Sequence, residues 1–324
     1  MFNPALGMND YLIQFALLRE RAFRETQNRE LFRHLLICME LSGNHSESRA
    51  LYEEIINVHP YCSYAWYNLG WACVQLGPPE EALDAFEYAY ITYPYFEEAY
   101  RACADLAMQH GFYRRALQCY TEMAGHVEAD SEILVRMGSC QLQLGKVRDA
   151  KKLCRQALQL DPYNADAYYH LGACYAAEKD YQPAARWMRE AVRTEDRREE
   201  FHVSLAAVYG YLGQTKQALN HYWRAVELAP EEASVWLQLA ECLMLSGEMT
   251  EAGEVLEQAL ENSTGAELLY CSAACKFLTG DRQAALRTLQ EALKADLNRQ
   301  TSIFRWAPAL QDDAEIVGLL NSSQ

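Results

Sequence analysis

Hydrophobic and small residues recur along this chain with a period of 34 residues. Counted from Arg29, position 20 of the period is small in all eight copies: Ser48, Ala82, Ala116, Ala150, Ala184, Ala218, Ala252 and Ala285. Position 8 is small in seven of them: Gly70, Ala104, Gly138, Gly172, Ala206, Ala240 and Ala273. Two helices approach closely only where the facing side chains are small, so the period predicts pairs of nested α-helices.

The first copy departs from this pattern, because Leu36 stands at its position 8. We therefore expect the packing of its two helices to differ. Larger side chains at position 24 are expected to fill the grooves beside the small residues. They are Tyr52, Phe86, Tyr120, Cys154, Met188, Tyr222, Leu256 and Leu289.

Turn residues follow the same period. Glycine at position 15 predicts the end of each first helix, since glycine adopts the left-handed conformation that ends helices. These glycines are Gly43, Gly77, Gly111, Gly145, Gly213, Gly247 and Gly280.

The residues of one copy carry a family resemblance. Trp66, Leu69, Gly70 and Cys73, followed by Ala82, Phe86, Ala89 and Pro94, are similar to the tetratricopeptide (TPR) pattern W-x2-L-G-x2-Y, A-x3-F, P. The chain thus resembles the TPR family over residues 29–299. The resemblance implies an all-α fold, a right-handed α-solenoid superhelix of eight TPR helical hairpins with N- and C-terminal capping helices.

The predicted organisation is a capping helix over 1–28, eight repeats, and a C-terminal cap over 300–324. The repeats are 29–62, 63–96, 97–130, 131–164, 165–198, 199–232, 233–265 and 266–299. Asn9 or Asp10 is expected to cap the first helix, whose covering residues would be Ile13, Ala16, Leu17 and Phe23. In the C-terminal cap, Pro308 begins a segment whose Ile316, Leu319 and Leu320 would close repeat 8.

Charge and cysteine content narrow the possible partners and compartment. A formal charge of −16 opposes binding to a phosphate backbone, so we expect no nucleic-acid partner. The longest uncharged run contains Pro60, Pro78 and Pro79, which argues against a membrane span. Cys38, Cys140, Cys174, Cys242 and Cys275 all fall at position 10. This phase predicts reduced core thiols and a cytoplasmic setting.

Sequence signals for catalysis are weak. His34 with Cys38, and His170 with Cys174, have a spacing compatible with a nucleophile and base or with two metal ligands. Neither pair comes with the third group that such chemistry needs, so both are interpreted as packing residues. No phosphate-binding or hydrolase motif is present, and we expect no enzyme activity, cofactor or metal.

The resemblance also implies a binding surface, because helix positions 2, 5, 6, 9, 12 and 13 line the concave groove of TPR proteins. In repeats 1 to 5 these positions supply the candidate groove residues Arg33, His34, Tyr64, Tyr67, Asn68, Trp71, Arg101, Arg136, Gln143, Tyr169 and His170. In repeats 6 to 8 they are more apolar and include Val203, Ala207, Leu237, Met244, Leu245 and Phe277. Aromatic residues beside arginine are typical of binding hot spots.

Acidic residues recur at position 2, where they either receive a basic ligand or complement the helix dipole. They are Glu30, Glu98, Glu132, Asp166, Glu200 and Glu267. The leading hypothesis is a non-enzymatic scaffold or adaptor that binds a protein or peptide segment for complex assembly or chaperoning. The alternative is self-assembly into a homo-oligomer through the groove or through the C-terminal Phe304 and Trp306.

Overall fold

The structure is a computed structural model that describes residues 8–127 and 129–322. All regular secondary structure within these residues is helical. Residues 1–7 and 323–324, which belong to the predicted caps, lie outside the described residues.

The chain divides after Pro162 into two compact units. The first unit contains α1 (Met8–Arg24), α2 (Arg29–Ser42), α3 (His45–Val58), α4 (Ser63–Leu76), α5 (Pro79–Thr92), α6 (Glu97–Gln109), α7 (Tyr113–His126), α8 (Ser131–Gln143) and α9 (Val147–Leu160). The division falls at the junction between the predicted repeats 4 and 5.

The second unit begins at Tyr163. Its helices are α10 (Ala165–Ala177), α11 (Tyr181–Thr194), α12 (Glu199–Tyr211), α13 (Thr215–Leu228), α14 (Ala233–Ser246), α15 (Met249–Asn262), α16 (Ala266–Leu278), α17 (Arg282–Ala295), α18 (Ile303–Trp306) and α19 (Ala314–Ser322). Two 3₁₀ turns, Leu297–Ser302 and Pro308–Asp312, flank the short α18.

Helix nesting follows from the small residues. Helices α2, α4, α6, α8, α10, α12, α14 and α16 each begin at the first residue of a repeat copy, and we call them the A helices. All eight residues at position 20 are fully buried. A Cβ atom added to Gly70 would lie 2.4 Å from the Phe86 ring, which shows how closely α4 and α5 approach.

The first predicted hairpin is open. Helices α2 and α3 have few close approaches, whereas the two helices of every other predicted pair pack extensively. Leu36, at the position that is small elsewhere, is half-buried. Helix α2 packs instead against α1, and α3 packs against α4. The bulk of Leu36 explains why α2 and α3 do not nest.

Most turn glycines have the expected backbone. Gly43, Gly111, Gly145, Gly213, Gly247 and Gly280 all have positive φ. Gly77 differs, with extended φ −140° and ψ −175°. Pro78 follows it directly, and a proline drives the preceding residue into the extended region.

The N-terminal helix buries a different face from the one predicted. Tyr11, Phe15 and Ala22 are buried, whereas Ile13 and Leu17 are 61% and 71% exposed. Phe23 packs partly buried against the core as expected, and Ala16 is exposed. The expectation was therefore wrong for Ile13, Ala16 and Leu17, because the two aromatic rings supply more apolar area to the core than the aliphatic residues beside them. Asn9 and Asp10 lie inside α1, which begins at Met8, so neither is its cap.

The C-terminal segment covers the last helix pair as expected. Ile316 is fully buried, Leu320 is 6% exposed, and Leu319 is partly buried against the same core. Ile303 of α18 also contributes to this core.

Candidate functional site

A pocket of about 500 Å³ in the first unit brings together several of the candidate groove residues. Helices α2, α4 and the start of α6 form it. It is lined by Arg29, Glu30, Phe32, Arg33, Leu36, Tyr64, Tyr67, Asn68, Phe96 and Glu98. We call it the aromatic pocket.

The floor of the aromatic pocket is a cluster of rings. Tyr64 lies with its ring centroid 5.3 Å from that of Phe96 and 6.0 Å from that of Phe32. Tyr67 lies 5.0 Å from Phe96. Burial raises the pKa of both tyrosine hydroxyls, so they stay neutral hydrogen-bonding groups at physiological pH. Such a floor suits an apolar or aromatic side chain.

Charged side chains form the rim of the pocket. Arg29 at the start of α2 donates a hydrogen bond to Glu98 in the first turn of α6. Arg33 is 68% exposed and lies 3.9 Å from Glu30, a distance that leaves its guanidinium largely hydrated. Arg33 is thus the cation of the rim best placed to meet an anionic group of a ligand.

Asn68 lines the pocket, and its side-chain amide is bonded within the fold. It is 1% exposed, and its Nδ2 donates to the Phe32 carbonyl at 2.8 Å and to the Tyr52 hydroxyl at 3.2 Å. Asn68 therefore fastens α4 to α2 and α3 beneath the pocket. Trp71 lies outside the pocket lining and packs edge-on against Phe86 with a centroid distance of 5.6 Å.

The remaining candidates of the first unit lie on α2, α6 and α8. Arg101 is bound by acids of its own and the next repeat, with Nη2 at 2.9 Å from Glu97 and Nη1 at 3.4 Å from Glu132. Arg136 lies 3.9 Å from Glu132. His34 and Gln143 are exposed. None of these four residues lines the aromatic pocket.

Tyr169 and His170 belong to the second unit. The Tyr169 ring stacks on Phe201 at 4.9 Å and its hydroxyl lies 3.1 Å from Ser204 Oγ. Tyr169 thus joins α10 to α12, and His170 packs against its edge at 5.2 Å. Both side chains are half-buried.

The acids at position 2 are mostly paired within the fold. Glu98 accepts from Arg29, Glu132 lies beside Arg101, Asp166 and Glu200 both accept from Arg198, and Glu267 pairs with Arg299. Arg29 and Glu98 lie two repeats apart and Arg101 and Glu132 lie in adjacent repeats, so these acids help to join helices of different repeats. The pairing leaves them less available to a basic ligand.

A larger pocket, of about 750 Å³, lies in the second unit on α12, α13, α14 and the start of α16. It is lined by Ala207, Gly210, Tyr211, Thr215, Tyr222, Ser234, Leu237, Gln238, Glu241, Cys242, Leu245, Ser246, Glu267 and Arg305. Most of these residues occupy groove positions of repeats 6 and 7. We call it the acidic pocket, because Glu241 and Glu267 are its acids.

The C-terminal segment contributes Arg305 to the lining of the acidic pocket and bonds to its Glu241. Trp306 Nε1 donates to Glu241 Oε1 at 2.8 Å, and Arg305 Nη2 lies 2.8 Å from the same oxygen. Phe304 is partly buried in the C-terminal core. The two aromatic residues considered for self-assembly are therefore engaged within the chain.

His34 and Cys38 do not form a catalytic pair. His34 is exposed while Cys38 is 2% exposed, and burial raises the pKa of the Cys38 thiol. A nucleophilic cysteine needs a lowered pKa instead. Among the residues that the structure describes, no group of three or more His, Cys, Asp or Glu side chains is arranged to hold a metal ion.

Sequence reasoning missed several residues of these pockets. Arg29, Phe32 and Phe96 occupy repeat positions outside the groove set, so the period carried no signal for them. Arg305 reaches the acidic pocket from 64 residues beyond Glu241 along the chain, and only the fold reveals that contact.

Comparisons with known proteins agree with the repeat. The TPR repeat-containing protein YpiA of Bacillus subtilis (strain 168) is 24% identical over 223 residues, which cover 69% of this chain and 52% of that protein. BBSome complex member BBS4 of Bos taurus is 22% identical over 200 residues, covering 62% of this chain and 38% of that protein. The match thus spans about half of the first relative and less of the second.

Solved structures show a similar fold. The crystal structure of the APC/C hetero-tetramer Cut9–Hcn1 aligns with a TM-score of 0.53 and 17% identity, over 87% of this chain and 52% of that chain.

None of the helices that the structure describes combines the length and apolar character that a membrane crossing requires.

Family models give the assignment. A model described as Tetratricopeptide repeat matches residues 74–265, well over half of the chain, and a second model of the same description matches residues 42–95. The all-helical fold, the small residues between nested helices and these matches together place the chain in the tetratricopeptide repeat family.

Proposed function

We propose that this protein is a non-enzymatic scaffold whose aromatic pocket binds a peptide segment of a partner protein. TPR proteins serve in general as protein-interaction scaffolds. The observation that carries the proposal is the pocket itself, in which three A helices converge on a ring-lined floor with charges at its rim. A few precisely placed polar groups around an apolar cavity are typical of ligand sites.

The proposed ligand inserts an apolar or aromatic side chain between Tyr64 and Tyr67. Its neighbouring anionic group pairs with Arg33, whose guanidinium is exposed and only distantly paired. Buried rings supply most of the binding energy at interfaces, and rim charges chiefly set orientation. A role in complex assembly or chaperoning is consistent with such a site.

Phage-displayed random peptides test this proposal directly. Peptides selected on the wild-type protein are expected to bind at least tenfold more weakly to the double variant Arg33→Glu, Tyr64→Ala. Tyr67→Ala is avoided, because Tyr67 also packs against Phe86 and Trp71 and its loss would disturb the fold.

A matched control removes a ring and reverses an arginine elsewhere in the same unit. Tyr61 is 80% exposed and Arg114 is exposed, and neither lines the aromatic pocket. The variant Tyr61→Ala, Arg114→Glu should therefore bind the selected peptides like the wild type. Equal binding by the pocket variant and the control would refute the assigned site.

Self-assembly through the C-terminal cap has less support, since Trp306 already bonds to Glu241. Light scattering at several protein concentrations measures it independently of any peptide.

A further inference from the structure

The C-terminal segment folds back over helices that precede it. After α17, the chain turns through residues 297–302 and places α18 against α16, the A helix of the last repeat. Trp306 is partly buried against both the core around α14 and the core of the C-terminal cap. The segment therefore lies on the A helices rather than simply extending the array beyond α17.

The C-terminal segment contacts a residue at a groove position. Glu241 is position 9 of repeat 7, and its carboxylate receives both the Trp306 indole N–H and the Arg305 guanidinium. The Arg305 guanidinium also lies 5.5 Å from the centre of the Trp306 ring. An arginine and an adjacent tryptophan of this chain thus occupy one end of the surface on which TPR groove ligands would lie.

The pocket continues beyond this dipeptide. Ala207, Gly210 and Tyr211 line it on α12, and Leu245 is 90% exposed on α14. A longer ligand has space to run from Glu241 along this apolar wall. The chain's formal charge of −16 further favours a cationic ligand.

The intramolecular contact is weak enough to be replaced. Helix α18 has only four residues, which is too short to be stable without tertiary contacts. The Arg305 side chain is 66% exposed and its partner Glu241 is 23% exposed, so the guanidinium stays hydrated on its open side and loses little on leaving the pair.

We propose that the acidic pocket binds a partner segment in which an arginine is next to an aromatic residue, and that Arg305 and Trp306 occupy this site until such a partner displaces them. The proposal rests on the proposed peptide-binding function of the A helices. It adds the chemical class of a second ligand, and it identifies Arg305 and Trp306 as an intramolecular competitor for the acidic pocket.

A peptide supplied in trans tests the competition. The probe is a fluorescein-labelled peptide with the sequence of residues 301–309, and its binding to the full-length protein is followed by fluorescence anisotropy. Arg305→Ala, Trp306→Ala should bind the probe at least tenfold more tightly than the wild type, because a tethered competitor has a high effective concentration. Adding Glu241→Ala to that variant should weaken binding at least tenfold.

Two controls and one replacement variant complete the test. Arg287→Ala, at an exposed arginine of α17 that does not line the acidic pocket, should bind the probe like the wild type. A probe with alanine in place of its arginine and tryptophan should not bind. If circular dichroism shows that Arg305→Ala, Trp306→Ala is unfolded, then Arg305→Ala, Trp306→Phe, which keeps an aromatic ring, takes its place.

Three outcomes would each overturn the proposal. The wild type and the Arg305→Ala, Trp306→Ala variant bind the probe equally, neither protein binds it, or binding persists after Glu241→Ala is added. None of these outcomes bears on the aromatic pocket, whose test uses other variants and other peptides. Failure of this inference is therefore distinguishable from failure of the proposed function.

Discussion

Lys179 has the backbone conformation that glycine has at the same repeat position elsewhere. Its φ is +62°, and it is the one non-glycine residue with positive φ in the part of the chain that the structure describes. Its amide donates to the Ala176 carbonyl at 2.9 Å and thereby helps to end α10. A side chain with a Cβ is strained in this region, because the Cβ approaches the following carbonyl.

Replacing Lys179 with glycine should therefore stabilise the protein. We expect the free energy of unfolding to rise by about 0.5–1 kcal/mol. Glycine avoids the strain of the left-handed conformation, but part of that gain is lost because the unfolded chain has more conformational entropy with glycine. The urea midpoint measures it. Gly213→Lys, in the same unit and at a site where an added Cβ would meet no atom within 4 Å, should lose about 1 kcal/mol through the backbone alone. Unchanged midpoints in both variants would show that these turns relax freely.

Helix pairs depend on close approach at one or two places. Gly70 on α4 faces Phe86 on α5, and an added Cβ would lie within 3 Å of three atoms of that ring. Phe86 is 1% exposed and is held by Tyr67 and Trp71, so it has little room to move. A single methyl group added at this contact between two helices therefore has a large effect on stability.

Gly70→Ala should destabilise the first unit by about 1–3 kcal/mol, because overpacking pushes α4 and α5 apart. Denaturation monitored by far-UV circular dichroism measures the loss. Gly125→Ala is the matched control, since Gly125 lies in α7 of the same unit with open space around it. It should be neutral or stabilising by up to about 1 kcal/mol, as alanine favours helix. A Gly70→Ala protein as stable as this control would mean that the helix contact is loose.

At the scale of the whole molecule, the repeated period contains most of the information that the sequence offered. It placed the starts of the A helices because small residues at positions 8 and 20 determine where two helices can nest. It also indicated Arg33, Tyr64 and Tyr67, which do share a pocket. It also indicated Asn68, which lines the same pocket, but not that its amide turns inward to donate to the Phe32 carbonyl.

The 34-residue period does not predict features that lie outside the repeats. The face of α1 depends on which side chains the neighbouring helix accepts, and Tyr11 and Phe15 displaced the expected Ile13 and Leu17. The contact between Trp306 and Glu241 joins residues 65 apart, and Trp306 lies beyond the last repeat in a segment without periodicity. Such long-range contacts arise only when the folded array brings distant residues together.

The end of the array requires a cover, since each helix pair buries its apolar face only against a neighbour. Ile316 of α19 is fully buried in the C-terminal core, whereas Ala314 in the same helix is exposed. Ile316→Asp should therefore detach the cap and lower stability by about 3 kcal/mol or more, because a buried unpaired carboxylate is costly. Ala314→Asp adds the same charge at the exposed helix start and should be neutral.

Light scattering extends this test to association between molecules. Detaching the cap exposes Leu289 and Leu293 of α17, which are buried in the same core. The Ile316→Asp variant should therefore associate increasingly as its concentration rises, while Ala314→Asp behaves like the wild type. A variant that keeps both its urea midpoint and its molecular mass would show that α19 is dispensable, and that α18 alone, through Ile303, closes the last helix pair.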